Sequence, residues 1–336
     1  MNFEIFNNII RKEEILCSGN RRQDEIFEGN AFHIAYGIDN NFVMPMGVSI
    51  VSILENNKHE HFVFHVLTEE ISENNCLYLR RLVNEYNTII YIHYINGDIF
   101  NSLPNTDHFT KATYNRFLLP KILKKFVKKV IYLDADILCL AEITNLKNID
   151  LSDKIVAVVQ DVEDVAIRQI KNLQLKDKKY FNAGFIYIDV DRWNTEEVSE
   201  KAMKYSFDNL GKLKWLDQDA LNVVLDGKAL FIEKKYDYIF DFGLKKNKQI
   251  LTLPQETVFV HYTGRYKPWH QWCMHPLKND FIKYFEISPW ENQTLSYPKN
   301  YKEMKRMAIS YFLYGQVSQG LKWYIKYSYN KLKEKL

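Results

Sequence analysis

The chain has 336 residues, of which 46% are hydrophobic, and its 45 basic and 42 acidic side chains leave a net charge of only +3. This composition predicts one main α/β core of roughly 280 residues with an appendage, and it excludes a disordered chain. The small net charge excludes attraction of the whole protein to nucleic acid, and four widely spaced cysteines argue against a zinc site or a disulfide framework.

The N-terminal segment, residues 1–30, is polar and charged, and we predict a leader that packs loosely on the surface. It carries early acids and lacks the basic start and the apolar stretch of a secretory signal. No later run reaches the roughly 18 apolar residues that would span a bilayer, and isolated cysteines fit a reducing compartment. We therefore expect a cytoplasmic protein that is soluble or lies against a membrane.

From residue 31 onward, short apolar runs alternate with segments of helical spacing, which predicts an α/β fold with a parallel sheet. The predicted strands lie at residues 31–39, 61–70, 88–95, 128–140, 154–161 and 180–190. The predicted helices lie at residues 46–57, 72–87, 111–123, 195–210 and 216–227, with a Thr195 cap on the fourth and Gly227 closing the last.

Two polar segments come first in chain order. The turn Gly37-Ile38-Asp39-Asn40-Asn41 after the first strand fits a pocket for a base and a ribose, although a plain Asx-rich turn has the same composition. In the predicted helix at 111–123, Tyr114 and Arg116 either face a bound donor together, or Arg116 is an ordinary surface cation. The residues alone leave both alternatives open.

The strongest local signal is Asp134-Ala135-Asp136, which directly follows the apolar run Val130–Leu133. Carboxylates at positions i and i+2 of an extended segment point the same way, and the carboxyl ends of strands are where open α/β sheets bind ligands. Mg²⁺ or Mn²⁺ accepts such carboxylates and completes its shell with phosphate oxygens. An isolated triplet of this kind is also a common solvated turn.

Two further polar triplets lie beyond the aspartates. Asn182-Ala183-Gly184 places an amide and small residues inside a strand that is otherwise apolar, which indicates close approach by a sugar. Asp217-Gln218-Asp219 begins a predicted helix, where an aspartate is commonly a cap. We expect one of these aspartates to be the cap and another to take part in chemistry.

His261 follows the apolar run at 258–260, so its imidazole is a candidate third ligand at the same sheet edge, favouring Mn²⁺. Gly264 would let the backbone approach a phosphate, and Lys267 would place a charge on it. A lone histidine is more often a packing or surface residue, but these neighbours favour a ligand loop.

The last segment, from Tyr301, is basic and aromatic, and Gly315 and Gly320 predict two helices joined by a break. It is either a packed cap or a membrane-surface anchor, and we favour the anchor because lysines alternate with interfacial aromatics. The residues concerned are Lys322, Lys326, Lys331, Lys333 and Lys335, with Trp323, Tyr324, Tyr327 and Tyr329.

Five segments in this order and spacing, IAYGIDNNF, YLDAD, FNAGFIYID, LDQDALN and HYTGRYKPW, resemble the retaining glycosyltransferases of family 8 over residues 31–290. Within that family the chain looks like the lipopolysaccharide core α-glucosyltransferases and α-galactosyltransferases. The resemblance implies a Rossmann-like GT-A fold with a mostly parallel mixed sheet and flanking helices. It divides the chain into a leader (1–30), a catalytic domain (31–290) and a C-terminal helical region (291–336).

The resemblance also implies a role for each motif residue. Asp134, Asp136 and His261 would hold Mn²⁺ or Mg²⁺. The implied donor-binding residues are Gly37, Ile38, Asp39, Asn41, Tyr114, Arg116, Asp134, Ala135, Asp136, Ala183, Gly184, Gly264 and Lys267. The implied catalytic residues are Gln218, Asp217, Asp161 and Asn182. YGIDNN departs from the pattern of those members that have consecutive acids at this turn.

The implied reaction transfers a hexose with retention from UDP-glucose or UDP-galactose to a lipopolysaccharide core acceptor, next to the anionic inner face of the inner membrane. Gln218 is an amide and a poor nucleophile, so we favour same-face attack by the acceptor over a covalent intermediate on Asp217. The alternatives are a self-glucosylating enzyme of the glycogenin type and a non-catalytic nucleotide-sugar or carbohydrate-binding protein.

Overall fold

The computed structural model describes residues 9–18, 31–100, 111–243, 247 and 249–334. The chain divides into two compact units, the first comprising Met1–Ile239 with Glu256–His261 and the second Phe240–Gln255 with Tyr262–Leu336. Within the described ranges, no helix combines the length and the apolar character needed to cross a membrane.

The first unit is built on two β-sheets. Its strands are β1 (Ile10–Cys17), β2 (Phe32–Gly37), β3 (Phe62–Thr68), β4 (Ile89–Ile95), β5 (Lys129–Leu133), β6 (Ile137–Cys139), β7 (Val156–Gln160), β8 (Phe181–Asp189), β9 (Ala229–Phe231), β10 (Tyr238–Ile239) and β11 (Phe259–His261). The large sheet has the order β1-β4-β3-β2-β5-β8-β7-β9, and the small one has the order β10-β11-β6. Strands β4, β3, β2 and β5 run parallel, whereas β1 and β8 pair antiparallel with their neighbours. The predicted mixed sheet is confirmed.

Helices flank the strands because the central strands are apolar on both faces: every residue of β3 and of β4 is buried. The helices of the first unit are α1 (Val43–Asn56), α2 (Glu73–Tyr86), α3 (Asn115–Leu123), α4 (Glu163–Leu173), α5 (Val190–Thr195), α6 (Val198–Asp208) and α7 (Leu216–Val224). Those of the second unit are α8 (Lys278–Phe285), α9 (Tyr301–Leu313) and α10 (Val317–Lys333).

Two predicted boundaries are wrong. Thr195 ends α5 and does not cap a helix, because Glu197 adopts a left-handed backbone conformation (φ 52°) and separates α5 from α6. The predicted leader contains β1, which pairs antiparallel with β4 as the edge of the large sheet. Its charged residues Lys12, Glu13 and Glu14 are suited to an exposed edge strand, which is why they resembled a surface leader.

A row of imidazoles crosses the large sheet and ends on β1. His33 Nδ1 lies 3.0 Å from His65 Nε2, His65 Nδ1 lies 3.2 Å from His93 Nε2, and His93 Nδ1 lies 2.8 Å from Glu13 Oε1. Because the Glu13 carboxylate only accepts, each Nδ1 carries the proton and each Nε2 accepts. Burial lowers the pKa of all three imidazoles, that of His33 to about 4. This histidine row therefore joins β1 to the sheet in its neutral form.

The second unit has its own small core around Trp272, Met307, Ala308 and Trp323. The predicted break between two helices is present at Gly315, which has φ 75°. Gly320 instead lies inside α10, where a Cβ atom would come within 2.5 Å of the Phe312 ring of α9. Its role is close packing of the two helices rather than a break.

Candidate active site

The two aspartates after β5 and the histidine that ends β11 come together in the first unit. One ligand atom each from Asp134, Asp136 and His261 lies within 4.8 Å of the others, and His261 Nε2 is 3.2 Å from Asp136 Oδ1. The small sheet brings them together, because His261 pairs with Ile137, the residue after Asp136. Two carboxylates and one imidazole are a donor set that fits a divalent cation.

His261 is held from two sides. Its Nδ1 lies 3.1 Å from Oδ1 of the fully buried Asp237. Although burial opposes a charge on the imidazole, Asp136 and Asp237 raise the pKa of His261 to about 10. On the other side, a Cβ atom at Gly184 would lie 2.3 Å from His261 Cε1. The space beside Gly184, where the sequence predicts close approach by a sugar, is occupied by this imidazole, and contact of Gly184 with a donor sugar stays a prediction.

Arg116 of α3 is a buried cross-link beneath the aspartates. Its guanidinium lies 2.9 Å from Asp134 Oδ1 and 2.9 Å from Asp217 Oδ2, and it donates to the carbonyl of Ala183. Tyr132 also donates to Asp134 Oδ1 at 2.8 Å. Neighbouring aspartates hold the pKa of Arg116 above its usual range in spite of its burial. Arg116 is not an ordinary surface cation, and a direct contact between its guanidinium and the donor stays a prediction.

A β-bulge in β8 frees the peptide groups of Ala183 that connect these side chains. Val158 pairs with Ile186, but the next residue, Val159, pairs with Asn182, so β8 bulges between those two positions. The bulge frees the Ala183 N–H and carbonyl from the sheet ladder. Bulges next to active sites commonly redirect groups in this way.

Gln218, in the first turn of α7, is fixed by three hydrogen bonds. Its Oε1 accepts from the Ala183 N–H at 3.0 Å, and its Nε2 donates to Asp161 Oδ2 at 2.8 Å and to Tyr180 Oη at 2.9 Å. Asn182 Nδ2 donates to the same Asp161 oxygen at 3.4 Å. Burial raises the pKa of Asp161 against these donors. The predicted catalytic residues Gln218, Asp161 and Asn182 thus form one network.

The aspartates flanking Gln218 have different surroundings. Asp219 accepts from the backbone N–H groups of Lys214 and Trp215, which precede α7, at 2.8 and 2.9 Å. The N-cap residue of α7 is Trp215, whose side chain makes no capping hydrogen bond, so the expectation of an aspartate cap is wrong. Asp217 accepts from Thr113 Oγ1 at 2.6 Å and pairs with Arg116. Burial raises the pKa of Asp217 to about 6, although Arg116 opposes the rise.

The turn after β2 is an Asx turn at the carboxyl end of a strand next to β5. Asp39 Oδ1 accepts from the Asn41 N–H at 2.8 Å, and the Asn41 side chain is exposed. Ile38 is buried, and a Cβ atom at Gly37 would lie 2.7 Å from Asn115 Cβ. The turn therefore has the hydrogen bonding of a plain Asx-rich turn, and contact with uridine remains a prediction.

The predicted donor-binding residues that remain are Tyr114, Ala135, Gly264 and Lys267. Tyr114 is fully buried against Phe100 and Phe117, so the expectation that its ring faces the donor is wrong and its role is packing. Ala135 is also buried. Gly264, with φ 78°, and Lys267, which donates to the Tyr262 carbonyl at 2.7 Å, belong to the second unit. Their contact with a diphosphate stays a prediction.

Several residues of these networks were not predicted from sequence, namely Asp237, Thr113, Tyr132 and Tyr180. Thr113 lies three residues before Arg116, so helical spacing was a usable signal for it. Asp237 stands in the segment KKYDYIF, which has no motif, and its contact with His261 depends on the pairing of β10 with β11.

Comparison with known proteins gives consistent matches along the chain. The family model described as Glycosyl transferase family 8 matches residues 33–273, and the model described as Glycosyl transferase family 8 C-terminal matches residues 275–331. A lipopolysaccharide 1,3-galactosyltransferase of Salmonella typhimurium is 34% identical over 91% of this chain and 93% of its own length. The lipopolysaccharide glucosyltransferase WaaO of Escherichia coli is also 34% identical, with the same coverage. The crystal structure of the galactosyltransferase LgtC with donor and acceptor sugar analogues shares the fold, with a TM-score of 0.67 and 23% identity over 80% of this chain and 98% of LgtC.

Proposed function

The chain belongs to glycosyl transferase family 8, and from this membership we propose that it is a retaining hexosyltransferase of lipopolysaccharide core synthesis. It moves glucose or galactose from a UDP-sugar to the growing core oligosaccharide and forms an α-glycosidic bond. The observation that carries this proposal is the cluster of Asp134, Asp136 and His261 beside the network of Gln218. The named activities of the two lipopolysaccharide transferases with 34% identity supply the acceptor class.

The metal ligands in this proposal are Asp134, Asp136 and His261. The mixed oxygen and nitrogen donor set favours Mn²⁺ over Mg²⁺, because Mg²⁺ prefers oxygen ligands and retained waters. When bound, the ion would neutralise the charge that develops on the leaving diphosphate. Arg116 and Tyr132 hold Asp134 by hydrogen bonds, so this ligand is oriented before the donor arrives.

The arrangement around Gln218 favours same-face attack over a covalent intermediate. An amide is a poor nucleophile, and all of its polar atoms are engaged with Ala183, Asp161 and Tyr180. Both oxygens of Asp217 are occupied by Thr113 and Arg116, and Asp217 is 3% exposed. We therefore assign Gln218 and Asp161 a positioning and electrostatic role at the anomeric carbon. The acceptor hydroxyl proton goes to the leaving phosphate.

The test is UDP release from UDP-glucose and UDP-galactose, with Mn²⁺ or EDTA, on truncated lipopolysaccharide core acceptors. We expect acceptor-stimulated, EDTA-sensitive turnover of one donor. Asp136→Asn should abolish it while leaving the fold intact, and Asp153→Asn, which removes an exposed carboxylate, is the matched control. Full activity of Asp136→Asn would refute the metal assignment.

Protein mass and donor binding, measured beside UDP release, separate the alternatives. A mass increase of the protein itself after incubation with UDP-glucose would favour the self-glucosylating enzyme. Donor binding without turnover on several acceptors would favour a binding protein. Hydrolysis that no acceptor stimulates would point to a different acceptor class.

The proposal also places the protein on the inner face of the inner membrane, held by α10. Its exposed apolar side chains recur at helical spacing and form one face, which consists of Val317, Leu321, Tyr324, Ile325, Tyr329 and Leu332. Gly320, Trp323 and Tyr327 form a separate, buried face. Lys322, Lys326 and Lys333 border the exposed face on one side and Lys331 on the other, at helical spacing. Exposed apolar residues flanked by lysines suit anionic lipid headgroups.

A further inference from the structure

We propose that Asp237 is a positioning residue that sets the tautomer and the ring orientation of His261 for metal binding. This inference rests on the metal site in the proposed function and adds to it a residue that has no counterpart among the sequence motifs. Asp237 lies directly before β10, and Ile239 of that strand pairs with His261. The short parallel pairing therefore carries the carboxylate to the imidazole.

The hydrogen bond between the two side chains leaves one nitrogen of His261 for a ligand. The Asp237 carboxylate only accepts, so Nδ1 of His261 carries a proton and donates it in the 3.1 Å hydrogen bond to Asp237 Oδ1. Nε2 is the atom that faces Asp136 at 3.2 Å and Asp134 at 3.9 Å, so a metal ion held by these aspartates would take the place of the Nε2 proton, while the Nδ1 proton stays in the hydrogen bond to Asp237. A metal can bind only this tautomer at Nε2.

Asp237 is a fully buried carboxylate that is bonded to His261. Its side chain is 0% exposed, and Oδ2 has no hydrogen-bond partner among the described residues. Burying a carboxylate costs free energy unless it is paired or hydrogen-bonded. The hydrogen bond to His261 offsets this cost, and it orients a metal ligand.

Gly184 completes the restraint on the imidazole. A Cβ atom there would lie 2.3 Å from Cε1 and 2.7 Å from Nδ1 of His261, so the ring occupies space that only glycine leaves open. The ring is therefore bounded at Gly184 and bonded at Asp237. These two restraints leave Nε2 directed at the aspartates.

Asp237→Asn is the informative variant, because it keeps the shape and removes the charge. If its amide group faces His261, it donates to Nδ1 and forces the proton onto Nε2, which blocks the ligand atom. If the amide faces the other way, its carbonyl oxygen still accepts from Nδ1, but a neutral amide is a weaker acceptor than the carboxylate and supports the imidazole less well as a ligand. Either orientation weakens metal binding.

The experiment titrates Mn²⁺ alone into the full chain by isothermal calorimetry and by electron paramagnetic resonance of free Mn²⁺. We expect Asp237→Asn to bind Mn²⁺ about 10- to 100-fold more weakly than the wild type. Glu60→Gln is the matched control. It removes a largely buried carboxylate just before β3 that pairs with Lys147, and it should leave the Mn²⁺ affinity unchanged. In the UDP-release assay the half-activating Mn²⁺ concentration should rise by the same factor, while kcat at saturating Mn²⁺ changes little.

Wild-type affinity in a folded Asp237→Asn chain would overturn the proposal while leaving the metal site intact. No Mn²⁺ binding by the wild type would overturn the metal site itself and this proposal with it. If the variant does not fold, nitrogen-15 spectra of the histidines in the Mg²⁺-saturated wild type decide the question, with His261→Gln used for assignment. A proton on Nδ1 of His261 supports the proposal, and a proton on Nε2 refutes it.

Discussion

At the scale of single residues, the contact between Gly184 and His261 makes the sharpest steric prediction. Gly184→Ala would place a Cβ atom against the imidazole and displace Nε2 from the aspartates. We expect the half-activating Mn²⁺ concentration to rise at least about tenfold, because disturbing the groups that orient a metal ligand commonly lowers metal affinity about 10- to 100-fold. UDP release measured across an Mn²⁺ titration checks this.

Gly227→Ala is the control for this variant. Gly227 has φ 80°, so the substitution strains the backbone at a turn away from the metal ligands. Its melting temperature should fall while its Mn²⁺ requirement stays at the wild-type value. Equal Mn²⁺ requirements for Gly184→Ala and the wild type would contradict the steric argument.

A second prediction at this scale concerns Gln218. Gln218→Ala removes the acceptor of the Ala183 N–H and a donor to Asp161, so the groups around the anomeric carbon lose their common partner. We expect kcat to fall about 100-fold, the order found when one preorganised polar group is removed from an active site. Calorimetry should show Mn²⁺ and UDP dissociation constants within about threefold of the wild-type values, since the side-chain hydrogen bonds of Gln218 go to Ala183, Asp161 and Tyr180 and not to a candidate metal ligand.

The matched control for Gln218→Ala is Gln319→Ala, which truncates an exposed glutamine of α10 and should leave kcat unchanged. A Gln218→Ala enzyme with wild-type kcat would remove this residue from the mechanism. Loss of Mn²⁺ binding together with kcat would instead indicate a structural role.

At the scale of elements, the histidine row predicts how acid affects the folded chain. Burial lowers the pKa of His33, His65 and His93 in the native state, so below about pH 6.5, the ordinary histidine pKa, the unfolded chain takes up protons first. The contribution of the row to stability is therefore complete above that pH and falls as the pH drops towards 4. Glu13, bonded to His93 and paired with Lys125, links this loss to the attachment of β1.

The measurement compares urea unfolding of the wild type and of His33→Gln between pH 7.5 and pH 4.5. We expect the unfolding free energy of His33→Gln to fall less than that of the wild type as the pH drops, because the variant has one imidazole fewer to protonate. His59→Gln, at an exposed position, should follow the wild type. Parallel curves for wild type and His33→Gln would show that the row does not control acid stability.

The elements also show what sequence patterns could predict. The alternation of buried strands and amphipathic helices, and the aspartates at the end of β5, were predicted because strand and helix periodicity are local properties. Strand β1 was missed because its charged residues suit an exposed sheet edge as well as a surface leader. The sequence indicated the β8 bulge only through the unusual triplet Asn182-Ala183-Gly184, because the register shift is a property of the pairing between β7 and β8.

At the scale of the whole molecule, the exposed face of α10 predicts membrane attachment. Leu321→Glu with Ile325→Glu puts two carboxylates on that face, where the wild-type side chains are 53% and 68% exposed. We expect sedimentation with phosphatidylethanolamine–phosphatidylglycerol vesicles to fall at least about tenfold, because burial of one such side chain is worth about 1.5–3 kcal/mol. Added salt should weaken wild-type binding by screening the lysines.

Leu77→Glu with Ile167→Glu is the matched control, because these side chains of the first unit are 65% and 62% exposed. It should bind vesicles as the wild type does, and both double variants should keep UDP release on a water-soluble acceptor. Unchanged vesicle binding of the α10 variant would refute this face as the attachment surface.

The sequence by itself determined the fold class, the family and the candidate metal ligands, because these depend on periodicity and on short motifs whose members are neighbours along the chain. Only the tertiary structure decided that Arg116 is a buried cross-link, that Tyr114 belongs to the core and that Asp237 holds His261. Those assignments depend on strand register and on burial, which arise from packing between segments far apart in sequence. A carboxylate changes from a surface charge to a positioning group when the pairing of β10 with β11 carries it to an imidazole.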